Sequence, residues 1–311
     1  MEPLGGTELQ YKFLKEHVSE KLLEKFQICL SVPGRTPLAA NKINILWQKM
    51  APDQPHFQEF FRNDSSIDQY DYYVFNSHWN YEQFRKTFKI PHEKCTVIKN
   101  GIKNIKLRDP DEKRDKIKLI YHPTPWRGLS VLLGAMQLVQ NPNITLDVYS
   151  STNIYGSDFK KDNDDKYKAL YEQANKLPNV NYIGYKPNDY ILENLHRYDA
   201  FVYPNIWEET FCISALESLA CGLYVATTDN GALYETCSEF PIYIPYDNNW
   251  KNLAKQFAAV IDGIPEQINE EGLRQHLKFQ QKFYNNFYNW KSIGRQWTFF
   301  LEGALANARS K

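Results

Sequence analysis

Short apolar runs alternate with amphipathic stretches along most of this chain, and that alternation favours a parallel β-sheet covered by helices. Strands are expected at 26–31, 43–47, 72–76, 96–99, 118–121, 145–150, 180–184, 200–203, 223–227 and 242–244. Helices are expected between them, notably at 7–25, 81–88, 129–139, 167–176 and 189–196, and the aromatic tail 283–301 has helical spacing. A charged, apolar-poor stretch around residues 103–116, with Pro110 inside it, splits the strands into two series. With 311 residues, 42% of them hydrophobic and 15% aromatic, the chain has enough material for two cores.

Residues 199–222 constrain function most. Asp199-Ala200-Phe201-Val202-Tyr203-Pro204 is a short buried strand stopped by proline, and 213–220 has the apolar spacing and good formers of a helix ended by Gly222. Glu209 then falls on the strand-to-helix loop and Glu217 near the start of the helix, eight positions on. The unpaired backbone N–H groups of the first helical turn, around Phe211, Cys212 and Ser214, can hold a diphosphate. A carboxylate close by can accept hydrogen bonds from sugar hydroxyls.

With Thr210, Phe211, the small-residue helix, Ala220-Cys221-Gly222, the strand that follows and Asn230-Gly231-Ala232-Leu233-Tyr234-Glu235, this segment resembles the E-x7-E signature of the group-1, family-4-like retaining glycosyltransferases. That family includes sucrose and glycogen synthases and many enzymes of polysaccharide biosynthesis. The resemblance implies an α/β GT-B fold: two Rossmann-like domains with parallel sheets facing across a cleft. On this chain it implies an N-terminal acceptor domain at 1–105 whose first strand is short or missing, a linker at 106–116, a donor domain at 117–285, and a last helix at 286–311 crossing back to the first domain.

It also implies a donor site. Glu209 and Arg127 would be its catalytic groups. Glu217, Thr210, Phe211, Cys212, His122, Tyr185 and Gly231 would bind the nucleotide sugar. Arg127-Gly128-Leu129 follows a strand and matches the family's Lys-Gly element, which grips the diphosphate; arginine suits a phosphate fork. The family's earlier arginine falls on His122. Gly184-Tyr185-Lys186-Pro187 would line the base pocket, although a strand-ending turn explains it equally well. In the N-terminal domain the cleft residues implied are Gly5 and Gly6, whose missing Cβ atoms admit a ligand, Ser77 after a strand, and Asn100 in Asn100-Gly101-Ile102. Relatives carry a cleft histidine after the strand at 43–47; here Gln48-Lys49-Met50 stands there, so no catalytic histidine is expected.

The 37 basic and 37 acidic residues cancel, which removes the long-range field that draws proteins onto nucleic acid. Five scattered cysteines form no C-x-x-C pair, and neither a leader peptide nor a long apolar run is evident, so a reducing cytoplasm is expected. Asp162-Asn163-Asp164 lies in a run of Lys and Asp and is expected to be a solvated loop rather than a metal site. The expected activity is retaining glycosyl transfer from a UDP- or GDP-sugar to a glycan or small glycoside, with no metal or other cofactor and no nucleic-acid partner. A weak membrane-surface contact through the lysines of 7–25 stays open, as does the oligomeric state. The alternative is a non-catalytic GT-B partner subunit that binds a nucleotide sugar or glycan. A Rossmann-type oxidoreductase is disfavoured because no G-x-G-x-x-G follows an expected strand.

Overall fold

The computed structural model describes residues 5 to 309; the short first strand expected ahead of Gly5 lies outside the described residues. The described chain forms two compact units, each built on a parallel sheet.

One unit comprises residues 6–103, 208–211 and 286 onward. Its strands β1 (Phe26–Leu30), β2 (Ile43–Gln48), β3 (Tyr72–Phe75) and β4 (Cys95–Val97) pair in sequence order, with Ile45 opposite Tyr72 and Phe75 opposite Val97. Helices α1 (Gly6–His17), α2 (Glu20–Leu23), α3 (Pro55–Phe60) and α4 (His78–Phe88) accompany them. Alternate side chains of a strand point to opposite faces. Ile45, Trp47 and Val74 accordingly join one core with Phe13 and Leu14 of α1, whereas Leu46, Tyr73 and Phe75 join another with Phe57, Phe61 and Phe84.

The helix expected at 7–25 is broken. Ser19 takes φ −54° and ψ 129°, an extended conformation that ends one helix and starts the next. Serine and the β-branched Val18 before it are both weak helix formers, so the break costs little.

The other unit holds β5 (Ile117–Tyr121), β6 (Ile144–Val148), β7 (Val180–Tyr182), β8 (Ala200–Tyr203), β9 (Tyr224–Thr228) and β10 (Ile242–Ile244), paired in the order β10-β9-β8-β5-β6-β7. Its helices are α5 (Leu129–Met136), α6 (Ser157–Asn163), α7 (Lys168–Lys176), α8 (Asn188–Asn194), α9 (Ile213–Cys221), α10 (Leu233–Cys237), α11 (Trp250–Gln267) and α12 (Glu271–Phe287). The chain runs outward from β5 through β6 to β7, then returns to β8 beside β5 and runs the other way. Strand order therefore reverses between β5 and β8, the place where open α/β sheets bind ligands at the carboxyl ends of the strands.

Residues 106–116 group with this second unit. Arg108, 2% exposed, bonds through Nη2 to Asp199 Oδ1 at 3.0 Å, and Asp199, fully buried, also accepts from the Lys118 amide at 2.9 Å. The helical tail is interrupted at Tyr288 and Asn289, where the Ile102 amide donates to Tyr288 O at 2.8 Å and Asn289 Oδ1 accepts from the Ser292 amide at 2.9 Å. The helix that follows, α13 (Trp290–Arg309), brings Trp290, Ile293, Trp297 and Leu301 into the core around Trp47, whose ring meets Trp297 edge-on at 4.6 Å.

Among the described residues, none of the five cysteines is joined in a disulfide. Among the described residues, no helix is long and apolar enough to cross a membrane.

Candidate functional site

At the reversal of strand order two loops are forced together. After β5 the chain runs His122-Pro123-Thr124, makes one 3-10 turn at Pro125–Arg127, and reaches Gly128 at φ 111°. A Cβ on Gly128 would lie 2.0 Å from the backbone oxygen of Pro204, which follows β8. Glycine is what permits the approach. The half-buried Arg127 is thereby fixed on the loop that packs against the end of β8.

Beyond Pro204 the fully buried Asn205 shapes the next loop: its Oδ1 accepts from the Trp207 amide at 2.9 Å and its Nδ2 donates to Trp207 O. Neighbouring strands hold it, since Thr228 Oγ1 donates to Asn205 O at 2.9 Å.

Helix α9 begins just after Cys212, which sits at φ 72°, a left-handed conformation costing a β-carbon residue of order 1–3 kcal/mol. Its side chain makes no capping bond, so the first-turn amides lack the usual side-chain acceptor. Glu217, one turn into the helix and 5% exposed, accepts from Asn188 Nδ2 at the start of α8 at 3.4 Å. Gly222 ends the helix at φ 90°.

His122 is half-buried, with its ring 5.2 Å from that of Phe201 on β8. Its Nε2 is buried without a hydrogen-bond partner among the described residues. Burial pushes its pKa down to about 4, so the ring is neutral at physiological pH and adds no charge where the resemblance has an arginine. Tyr185 follows β7, half-buried, and burial raises its phenol above the ordinary value. Gly231, at φ 67°, lies on the turn between β9 and α10. His122, Arg127, Tyr185, Cys212, Glu217 and Gly231 therefore all belong to the six-stranded unit.

Glu209, Thr210 and Phe211 group with the four-stranded unit. Glu209 is 3% exposed. Thr210 Oγ1 donates to Lys49 O at 2.9 Å and receives Asn76 Nδ2 at 3.2 Å, while the Phe211 ring lies 6.5 Å from that of Tyr288. Gly5 is buried just before α1, which begins at Gly6. Ser77 caps α4, its Oγ accepting from the Asn80 amide at 3.0 Å. Asn100, 3% exposed, accepts from Lys49 Nζ at 2.5 Å.

Asp162 is exposed on α6 and Asp164 receives Thr152 Oγ1 at 2.8 Å. Among the described residues, no three His, Cys, Asp or Glu side chains cluster closely enough to hold a metal ion.

Asn188 and Asn205 carry no signal of their own in the sequence, and Gln48 stands out there only as part of the triplet that replaces a histidine. Neutral amides carry no charge or spacing signal; Asn188 follows directly on Gly184-Tyr185-Lys186-Pro187, and that adjacency is the one clue available.

The pattern of the family described as glycosyl transferases group 1 matches residues 104–279, more than half of the chain. The fold is similar to that of a glycosyltransferase from Rickettsia africae (TM-score 0.67, 16% identity, covering 86% of this chain and 72% of that one). It is also similar to Anabaena HepE in complex with UDP-glucose (TM-score 0.64, 15% identity, 86% and 72% coverage). A third similar structure is sucrose-phosphate synthase from Thermosynechococcus elongatus (TM-score 0.65, 14% identity, 97% and 79% coverage). A comparison with curated protein sequences gives no match.

Proposed function

The chain belongs to the group 1 glycosyl transferases, and on that premise we propose that it moves a sugar from a UDP- or GDP-sugar to a glycan or small glycoside, with retention of configuration and without a divalent metal. The observation that carries the proposal is the reversal of strand order between β5 and β8, with Gly128 packed on Pro204 and the uncapped start of α9 following in the same unit. A diphosphate suits that helix start and Arg127, since both offer N–H donors and positive potential to an anion. Glu217, buried and braced by Asn188, is suited to accept from ribose hydroxyls. The UDP-glucose bound to Anabaena HepE supports a nucleotide sugar as the donor class.

In this reading the bond between the anomeric carbon and the leaving phosphate oxygen breaks as the acceptor oxygen bonds to the same face of that carbon. The acceptor's proton passes to the departing phosphate. The protein's part is positioning and charge stabilisation, so it needs no strong nucleophile of its own.

The neutral His122, where the resemblance has an arginine, favours one second reading: a partner subunit that binds a nucleotide sugar without turning it over. Calorimetric titration with UDP and GDP tests the donor site directly. The wild type should bind one of them, and Glu217→Gln should weaken it by about tenfold or more, the scale of one lost hydrogen bond to a charged group. Unaltered affinity in that variant would move the ribose elsewhere.

A further inference from the structure

The turn Gln48-Lys49-Met50 leaves β2 at the carboxyl edge of the four-stranded sheet, and buried amides hold it from several sides. Gln48, fully buried, accepts at Oε1 from the Lys49 amide at 2.9 Å and the Met50 amide at 3.0 Å, while its Nε2 donates to Ser31 O at 3.1 Å. Thr210 donates to Lys49 O, and Asn76 to Thr210. A turn fixed in this way fixes where its side chain can go.

The Lys49 ammonium lies 3.7 Å from the centre of the Trp47 ring and donates to Asn100 Oδ1 at 2.5 Å. Asn100 is itself immobilised. Gln10 on α1, 2% exposed, clamps the adjoining Gly101 peptide, donating to its carbonyl at 2.8 Å and accepting from its amide at 3.0 Å. Gly101 in turn lies against the Trp290 indole, where a Cβ would stand 2.8 Å from the ring.

Two features of this arrangement point to a ligand. First, the contact partners of the cation are a neutral amide oxygen and an aromatic face. Among the described residues no carboxylate lies within ion-pair distance of Lys49, and Glu8 of α1 acts on it only from farther away. Burial pushes the ammonium's pKa well below its ordinary value, the direction expected where desolvation outweighs the distant Glu8 carboxylate. Second, Lys49 is half-buried rather than sealed, and it stands just past the carboxyl end of β2. A preorganised, under-compensated cation gains most from an anion, because a charge-assisted hydrogen bond is about twice as strong as a neutral one.

We propose that Lys49 selects the sugar acceptor by docking an anionic group that the acceptor carries, a carboxylate or a phosphate. This deepens the glycosyl-transfer reading and rests on it. Asn100 and Trp47 act through Lys49, as positioning residues that hold the ammonium ready.

The test is calorimetric titration of the full chain with glucuronate, glucose 6-phosphate and uncharged glucose. At least one acidic probe should bind about tenfold or more tightly than glucose, and whichever does identifies the anion as carboxylate or phosphate. Lys49→Met keeps most of the stem and should abolish the preference. Asn100→Asp keeps the lysine but supplies an internal carboxylate, and it too should abolish the preference, a result that a merely structural lysine would not give. Equal binding of all three probes, no binding of the acidic probes at millimolar concentration, or a preference that survives Asn100→Asp would each overturn the inference. UDP titrated into the same protein separates the two readings. Binding of UDP without anion preference sinks only this inference, whereas absence of nucleotide binding sinks the donor site beneath it.

Discussion

Gly128→Ala is the most demanding local test of how the six-stranded unit is built. The new Cβ would lie 2.0 Å from the Pro204 oxygen and 2.9 Å from its carbonyl carbon, both backbone atoms, so no side-chain rotation relieves the clash. The backbone at φ 111° is moreover outside the regions open to alanine. Strain of that kind costs of order 1–3 kcal/mol, and forcing an extra carbon into a packed site costs about 1–3 kcal/mol more. Even a loss of about 3 kcal/mol should lower the thermal midpoint by roughly 6–12 °C for a domain of this size. Because any escape displaces either the Arg127 loop or the loop after β8, nucleotide affinity should fall further than stability does. Scanning calorimetry with and without UDP measures both. A midpoint within about 1 °C of wild type, on the scale of a few degrees per kcal/mol, would show that the two loops are not locked as described.

Three further outcomes follow from named residues. Asp199→Ala should cost about 3–5 kcal/mol in denaturant unfolding, because it strands the buried Arg108 without its partner; a change below about 1 kcal/mol would mean that water reaches the pair. His122 has a folded pKa of about 4 against 6.5 for the free side chain, so the unfolded chain takes up a proton first as pH falls. Stability should hold above about pH 6.5 and then drop by about 1.4 kcal/mol per pH unit towards pH 4. His122→Gln should flatten that slope, and a slope unchanged in the variant would assign it to another group. Arg127→Ala should lower turnover of a nucleotide sugar by about two to three orders of magnitude in a folded protein, and an unaltered rate would place the phosphate grip elsewhere.

The strands were legible because each is a short apolar run between turn residues: β8, with its four residues Ala200–Tyr203, matches its expected bounds. Helix ends were less legible. Ser19 and Asn289 break two expected helices through local backbone choices that compete with helical spacing by fractions of a kcal/mol. Arg108 sits in a charged run that composition alone assigns to solvent, and only the buried Asp199 opposite it, about ninety positions away in the chain, reverses that assignment. Gln10 and Asn205 could not be found in advance, since a buried amide is defined by what packs around it. Lys49 drew notice in the sequence as the place where a histidine was missing. Its burial over Trp47 is a property of the fold.

The central claim, retaining transfer from a nucleotide sugar without a metal, is met most directly by following turnover of UDP- and GDP-sugars by proton NMR in excess EDTA, with a panel of glycoside acceptors that includes uronic acids and sugar phosphates. The account predicts a product whose anomeric proton keeps the donor's configuration, formed at the same rate with and without the chelator. An inverted product, or activity abolished by EDTA and restored by Mn²⁺ or Mg²⁺, would contradict it.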